Sequence, residues 1–100
     1  MLGIEPLDVK KRLGEVVLLD VRTDGEWSIV HLDALHIPLP ELGTRYPELP
    51  KDKEIICYCH HGFRSLDAAA FLVRAGYNAK SLSGGIDAWS KEVDTTLLRY

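Results

Sequence analysis

Glu54-Ile55-Ile56-Cys57-Tyr58-Cys59-His60-His61-Gly62-Phe63-Arg64-Ser65 decides how this chain is read. Ile55 to Tyr58 is a short apolar run of strand length. Ser65 through Ala75 is rich in strong helix formers and closed by Gly76, so it predicts a helix. A cysteine that ends a strand, followed by a glycine-containing loop and a helix start, sits where backbone N–H groups converge. The helix dipole adds positive potential at the same point. Such surroundings favour a thiolate and an anion delivered to it. Cys59 is the candidate nucleophile, and the stretch points to cysteine chemistry on a small anionic substrate.

Downstream, Ala79 to Leu82 predicts a further strand, and Gly84-Gly85 opens a last helix through Trp89. Upstream, Val16-Val17-Leu18-Leu19 is a continuous apolar run, the pattern of a strand covered on both faces, and it stops at Asp20-Val21-Arg22. Thr23 followed by Glu26 three residues on makes a capping box for a short helix. Ala34 to Ile37 predicts another short strand, Pro40 to Tyr46 a helix, and Pro6 to Leu13, with Gly14 past its end, a first helix. Strands alternating with helices imply right-handed crossovers and a mainly parallel sheet. Ligands of such sheets bind beyond the carboxyl ends of the strands. Cys59 and Asp20 both follow predicted strands directly, so they should share that face.

A chain of 100 residues supports one core, and 46% hydrophobic with 27% charged residues is ordinary globular composition. A formal charge of −3 with no run of Lys or Arg argues against nucleic-acid or anionic-membrane partners. The apolar stretches, the longest being Val16–Leu19 and Ala68–Val73, fall far short of a membrane span. Met1 to Glu5 lacks the basic start and apolar centre of a signal peptide, so a cytoplasmic location is expected. Two cysteines do not make a disulfide framework, and a reducing compartment suits a free thiol.

Three further segments stand in order around the Cys59 loop: Leu18-Leu19-Asp20-Val21-Arg22 with Glu26-Trp27, His31 to Pro38, and Gly84-Gly85-Ile86-Asp87-Ala88-Trp89. Together they resemble the landmarks of rhodanese-like domains, although Val30 and Asp33 stand at the two glycine positions of the family's second landmark. The resemblance implies a single α/β domain over residues 1–100. Its mainly parallel central sheet would have about five short strands with helices on both faces. It also implies a sulfurtransferase of the thiosulfate type. The Cys59 thiolate would attack the outer sulfur of a donor such as thiosulfate, expel sulfite and hold the sulfur as a persulfide until a second nucleophile takes it. Catalysis would then need no cofactor besides the covalent persulfide. The partners would be a small anionic sulfur donor and a thiol or sulfur-acceptor protein, with the chain a monomer or weak dimer. Backbone N–H groups from His60 to Ser65 would hold the persulfide. Gly62 would let the loop turn inward, and Arg64 would supply charge for the donor's oxygens or brace the loop.

His60 and His61 are read as pocket walls or as groups that tune the thiol, and Phe63 as an apolar lip or loop packing. Asp20 and Arg22, with Glu26, are read as a supporting ion-pair network behind the site. Cys57 is read as core. A metal site from Cys57, Cys59, His60 and His61 lacks the second separated pair that zinc sites carry. A phosphatase or arsenate reductase on the same fold would carry one more residue between its cysteine and arginine, whereas here only His60 to Phe63 intervene. A non-enzymatic module that carries persulfide sulfur or docks a partner is the remaining alternative.

Overall fold

The computed structural model, which describes residues 2–100, is built around β4 (Glu54–Tyr58), all five of whose residues are buried. β2 (Val16–Asp20) pairs with β4 along its whole length, from Val16 opposite Glu54 to Asp20 opposite Tyr58. β5 (Ala79–Leu82) flanks the other side, with Ile55 opposite Ala79. The sheet order is β1-β5-β4-β2-β3, where β1 is Gly3–Ile4 and β3 is Leu35–His36, and every pair is parallel.

Alternation along the strands splits the core in two. Ile55 and Cys57 of β4 join Leu19, Ala68, Ala69 and Leu72 on one face, under α4 (Phe63–Arg74) and α3 (Leu42–Arg45). Ile56 and Tyr58 join Val9, Leu82, Ile86 and Trp89 on the other, under α1 (Pro6–Lys10) and α5 (Gly85–Glu92). The fold is therefore α/β with helices on both faces. Ala68 and Ala69 are fully buried, and their small side chains let α4 lie close on the sheet. Trp89 fixes α5 to the sheet, a contact whose loss costs about 3–5 kcal/mol in comparable cores. No helix among the described residues is long and apolar enough to cross a membrane.

Several elements depart from the sequence reading. β1 has no apolar run to announce it. It exists because Ser81 and Ser83 donate their N–H groups to the Leu2 and Ile4 carbonyls. The helix expected over Pro40–Tyr46 is broken into 3₁₀ turns at Leu39–Glu41 and Tyr46–Glu48 around α3, because prolines interrupt the donor ladder. α4 begins two residues before Ser65, its entry turned by Gly62 at φ +101°. Val30, in the family's glycine position, has extended backbone (φ −164°, ψ 142°), which any residue adopts.

Candidate active site

Cys59 follows β4, and its sulfur lies inside the turn that leads into α4. The Gly62 N–H donates to Sγ at 3.1 Å and the Ser65 N–H at 3.4 Å, while Ser65 Oγ hydrogen-bonds the same sulfur at 3.4 Å. These donors belong to the start of a 12-residue helix, where N–H groups have no intrahelical partner and the dipole is positive. Ser65 Oγ in turn bonds Ser81 Oγ of β5 at 2.7 Å, and both serines are buried. Ser81 was not singled out from the sequence. Only its place on β5, opposite Cys57, brings it here.

The loop is held from below by α5. Ile86 and Asp87 at its first turn donate their N–H groups to the Cys59 and His60 carbonyls at 2.8 and 3.1 Å. Because a trans peptide points its C=O and N–H in opposite directions, this turns the next N–H groups of the loop away from α5. The approach demands Gly85: a Cβ there would stand 2.4 Å from the His60 carbonyl oxygen and 2.5 Å from that of Cys59. Gly62 is equally constrained by its positive φ, with Gly84 N 3.0 Å from where a Cβ would be.

Arg64 projects from the first turn of α4 onto Glu26 of α2 (Asp24–Ile29). Its two terminal nitrogens donate to Oε1 and Oε2 at 2.6 and 3.0 Å. The capping box holds Glu26 in place, since the Glu26 N–H donates to Thr23 Oγ1 and the Thr23 N–H donates back to Oε1. Tyr100 closes the network: its hydroxyl donates to Glu26 Oε2 at 2.7 Å and accepts from Arg22 at 2.8 Å. The Arg64 hydrogen bonds hold the Glu26 carboxyl far below its ordinary range despite partial burial, with Tyr100 and the Thr23 backbone helping. Nothing local in the sequence signals the reach of Tyr100 to the loop.

Asp20 and Arg22 are fully buried and bidentate, with Arg22 Nη2 2.6 Å from Asp20 Oδ2 and donating also to the Val30 carbonyl. Burial opposes the Arg22 charge, but Asp20 and Tyr100 outweigh it and keep the guanidinium firmly protonated. Arg22 thus reaches the site only through Tyr100. His60 lies between two rings, stacked on Tyr100 and on the exposed His61 with centroids 3.9 Å apart in each case. Phe63 is 78% exposed, so it packs against little. Burial pushes the Cys57 thiol up to about 12, with the neighbouring Cys59 adding to the shift. His60, His61 and Asp87 bring one ligand atom each within 4.8 Å, but Asp87 is already engaged by Lys91 and Arg99.

The family model for rhodanese-like domains matches residues 5–92. This chain belongs to that family. It is 33% identical over 90 residues to the thiosulfate sulfurtransferase GlpE of Coxiella burnetii, covering 88% of this chain and 82% of the relative. It is 37% identical over 90 residues to the probable adenylyltransferase/sulfurtransferase MoeZ of Mycobacterium tuberculosis. That match takes in 86% of this chain but spans only 23% of the relative's length. Among solved structures, a rhodanese-related protein of Thermoplasma volcanium superposes with a TM-score of 0.91 at 29% identity, covering 100% of both chains. Sulfurtransferases therefore stand among the relatives of this rhodanese-like domain, and the Cys59 loop lies inside the matched segment.

Proposed function

We propose that this domain is a sulfurtransferase that moves a sulfane sulfur from a thiosulfate-type donor to a thiophilic acceptor through a persulfide on Cys59. The observation that carries the reading is the convergence of the Gly62 and Ser65 N–H groups on Cys59 Sγ. The same donors that stabilise a thiolate before attack would stabilise the terminal sulfur anion after it. In the first half-reaction the Cys59 thiolate attacks the outer sulfur of thiosulfate. The Sγ–S bond forms, the S–S bond of the donor breaks, and its electron pair leaves on sulfite. In the second, a thiol or an acceptor protein takes the outer sulfur and returns the thiolate. The cysteine itself is the carrier, so the cycle calls for no resident cofactor. A reducing cytoplasm suits it because Cys59 must stay free. The GlpE relative, named a thiosulfate sulfurtransferase, supports thiosulfate as a donor.

Intact mass before and after incubation with thiosulfate tests the reading. One sulfur is expected on Cys59, removed by cyanide, and none on the folded Cys59→Ser variant. Sulfur transfer that survives in Cys59→Ser overturns it.

A further inference from the structure

Ser81 stands two positions after Ala79 on β5, so both share the α4 face of the sheet, whose buried core is Cys57, Ala69, Leu72 and other apolar side chains. Ser81 is buried, and among the described residues its hydroxyl bonds only that of Ser65, at 2.7 Å. Ser65 is fully buried in turn, and its hydroxyl bonds only Ser81 and Cys59 Sγ. An alanine would fill the Ser81 position as well, and burying a hydroxyl is costly unless it is hydrogen-bonded. Whatever the Ser81 hydroxyl does therefore falls on Ser65.

A hydroxyl carries a single hydrogen. A thiolate accepts hydrogen bonds and gives none, so Ser65 serves the Cys59 anion only while that hydrogen points at Sγ. Turned towards Ser81, it leaves an oxygen lone pair against the sulfur. Ser81 selects between the two directions. By donating to Ser65 Oγ it takes the acceptor side of Ser65 and leaves the Ser65 hydrogen for Sγ. Both O–H dipoles then run towards the sulfur, and each bond strengthens the next. The far end of this chain is fixed by the sheet: Ser81 pairs with Cys57 of β4 on one side and Gly3 of β1 on the other, and its N–H donates to the Leu2 carbonyl.

We propose that Ser81 is a positioning residue that turns the Ser65 hydroxyl onto Cys59 Sγ and so holds the sulfur as the attacking thiolate. The role deepens the sulfur-transfer reading and rests on it for turnover, whereas its effect on the thiol needs no donor. The other charged or titratable groups about the loop are Cys57 on β4, Arg64 on α4 with Glu26 on α2, His60 and His61 in the loop, Asp87 on α5, and Tyr100. Lys80, next to Ser81, is paired with Glu54. None of them hydrogen-bonds Ser81, and substitutions at Ser81 leave all of them in place.

Reaction of Cys59 with dithiodipyridine, a neutral disulfide, timed between about pH 6 and about pH 10 and assigned by peptide mapping, tests the role. One hydrogen bond of this kind moves the thiol–thiolate balance about fivefold. A less stabilised thiolate is scarcer but more nucleophilic, and nucleophilicity recovers about half of the loss on a logarithmic scale. Ser81→Ala should therefore react about twofold slower than wild type on the acid limb of the curve and about twofold faster on its alkaline plateau. A packing defect would instead change the rate by one factor throughout. Ser65→Ala removes the group through which Ser81 acts, so adding Ser81→Ala to it should change nothing further. Ser81→Thr and Ser81→Val share a shape and differ in the hydroxyl; they should differ as Ser and Ala do, which keeps the test decisive if Ser81→Ala folds poorly. Curves for Ser81→Ala and wild type that coincide or run parallel, a further loss in the double variant, or Thr and Val variants that react alike overturn the role. Thiosulfate loading of the same proteins, read by intact mass, keeps the two readings apart. Crossing curves with no sulfur loaded on the wild type retain Ser81 and strike sulfur transfer, and sulfur loaded with parallel curves does the reverse.

Discussion

Cys57 and Cys59 lie two residues apart on one strand and its exit, and are 0% and 1% exposed. Exposure does not separate them, but their surroundings do. Cys57 lies in the apolar cluster with Leu19, Ala68 and Leu72, and burial, with the neighbouring Cys59 adding to it, raises its pKa to about 12. Cys59 has two N–H donors and a hydroxyl on its sulfur. Iodoacetamide at pH 8 should accordingly label Cys59 in the native protein and spare Cys57, as peptide mapping would read out; equal labelling of both would remove the distinction drawn from the hydrogen bonds. Arg64 teaches a second lesson at this scale. Its charge is present in the sequence, yet what that charge does depends on Glu26, which lies 38 residues away.

Helix termini do most of the construction at the level of elements. α4 supplies the donors that face Cys59, and α5 supplies the donors that hold the Cys59 and His60 carbonyls. The Gly84-Gly85 pair joins β5 to α5 so tightly that a single methyl group breaks the arrangement. Gly85→Ala should destabilise the domain by about 2 kcal/mol or more, from backbone strain and overlap with two carbonyls, and should also abolish Cys59 labelling. Gly14→Ala, where a Cβ would meet nothing within 4 Å, should stay within about 0.5 kcal/mol of wild type in urea unfolding. Equal effects at the two positions would mean that close packing under the loop is not what Gly85 provides. At α2, the capping box serves two ends at once, since the carboxylate that caps the helix also grips Arg64.

Across the whole molecule, paired carboxylates set the response to acid. Burial alone would raise the Glu54 pKa, but Lys80 and Arg12 outweigh it and hold the carboxyl below its ordinary value. Glu26 is lowered by Arg64, and Asp87, against a burial penalty, by Arg99 and Lys91. With these groups depressed, the folded chain binds fewer protons than the unfolded one. Their contribution is complete above the unfolded glutamate value of 4.5 and is lost as pH falls towards the folded values. The Tm should be level from pH 7 to pH 5 and drop below about 4.5, while the gap between wild type and Glu54→Gln narrows over the same range. A gap that stays constant to pH 3 would mean that Glu54 contributes by packing and not by charge. Local pattern alone carries the α/β class, the buried strands β2 and β4, the helix after Cys59, the Thr23–Glu26 cap and the Cys59 loop. Each of these is written in local apolar runs, capping residues and glycines. β1, the Ser65–Ser81 contact, the grip of Glu26 on Arg64 and the position of Tyr100 over His60 emerge with the folded chain. Those rest on partners 16 to 78 residues apart, or on strand edges too short to carry a pattern, and so become visible only when the sheet order brings them together.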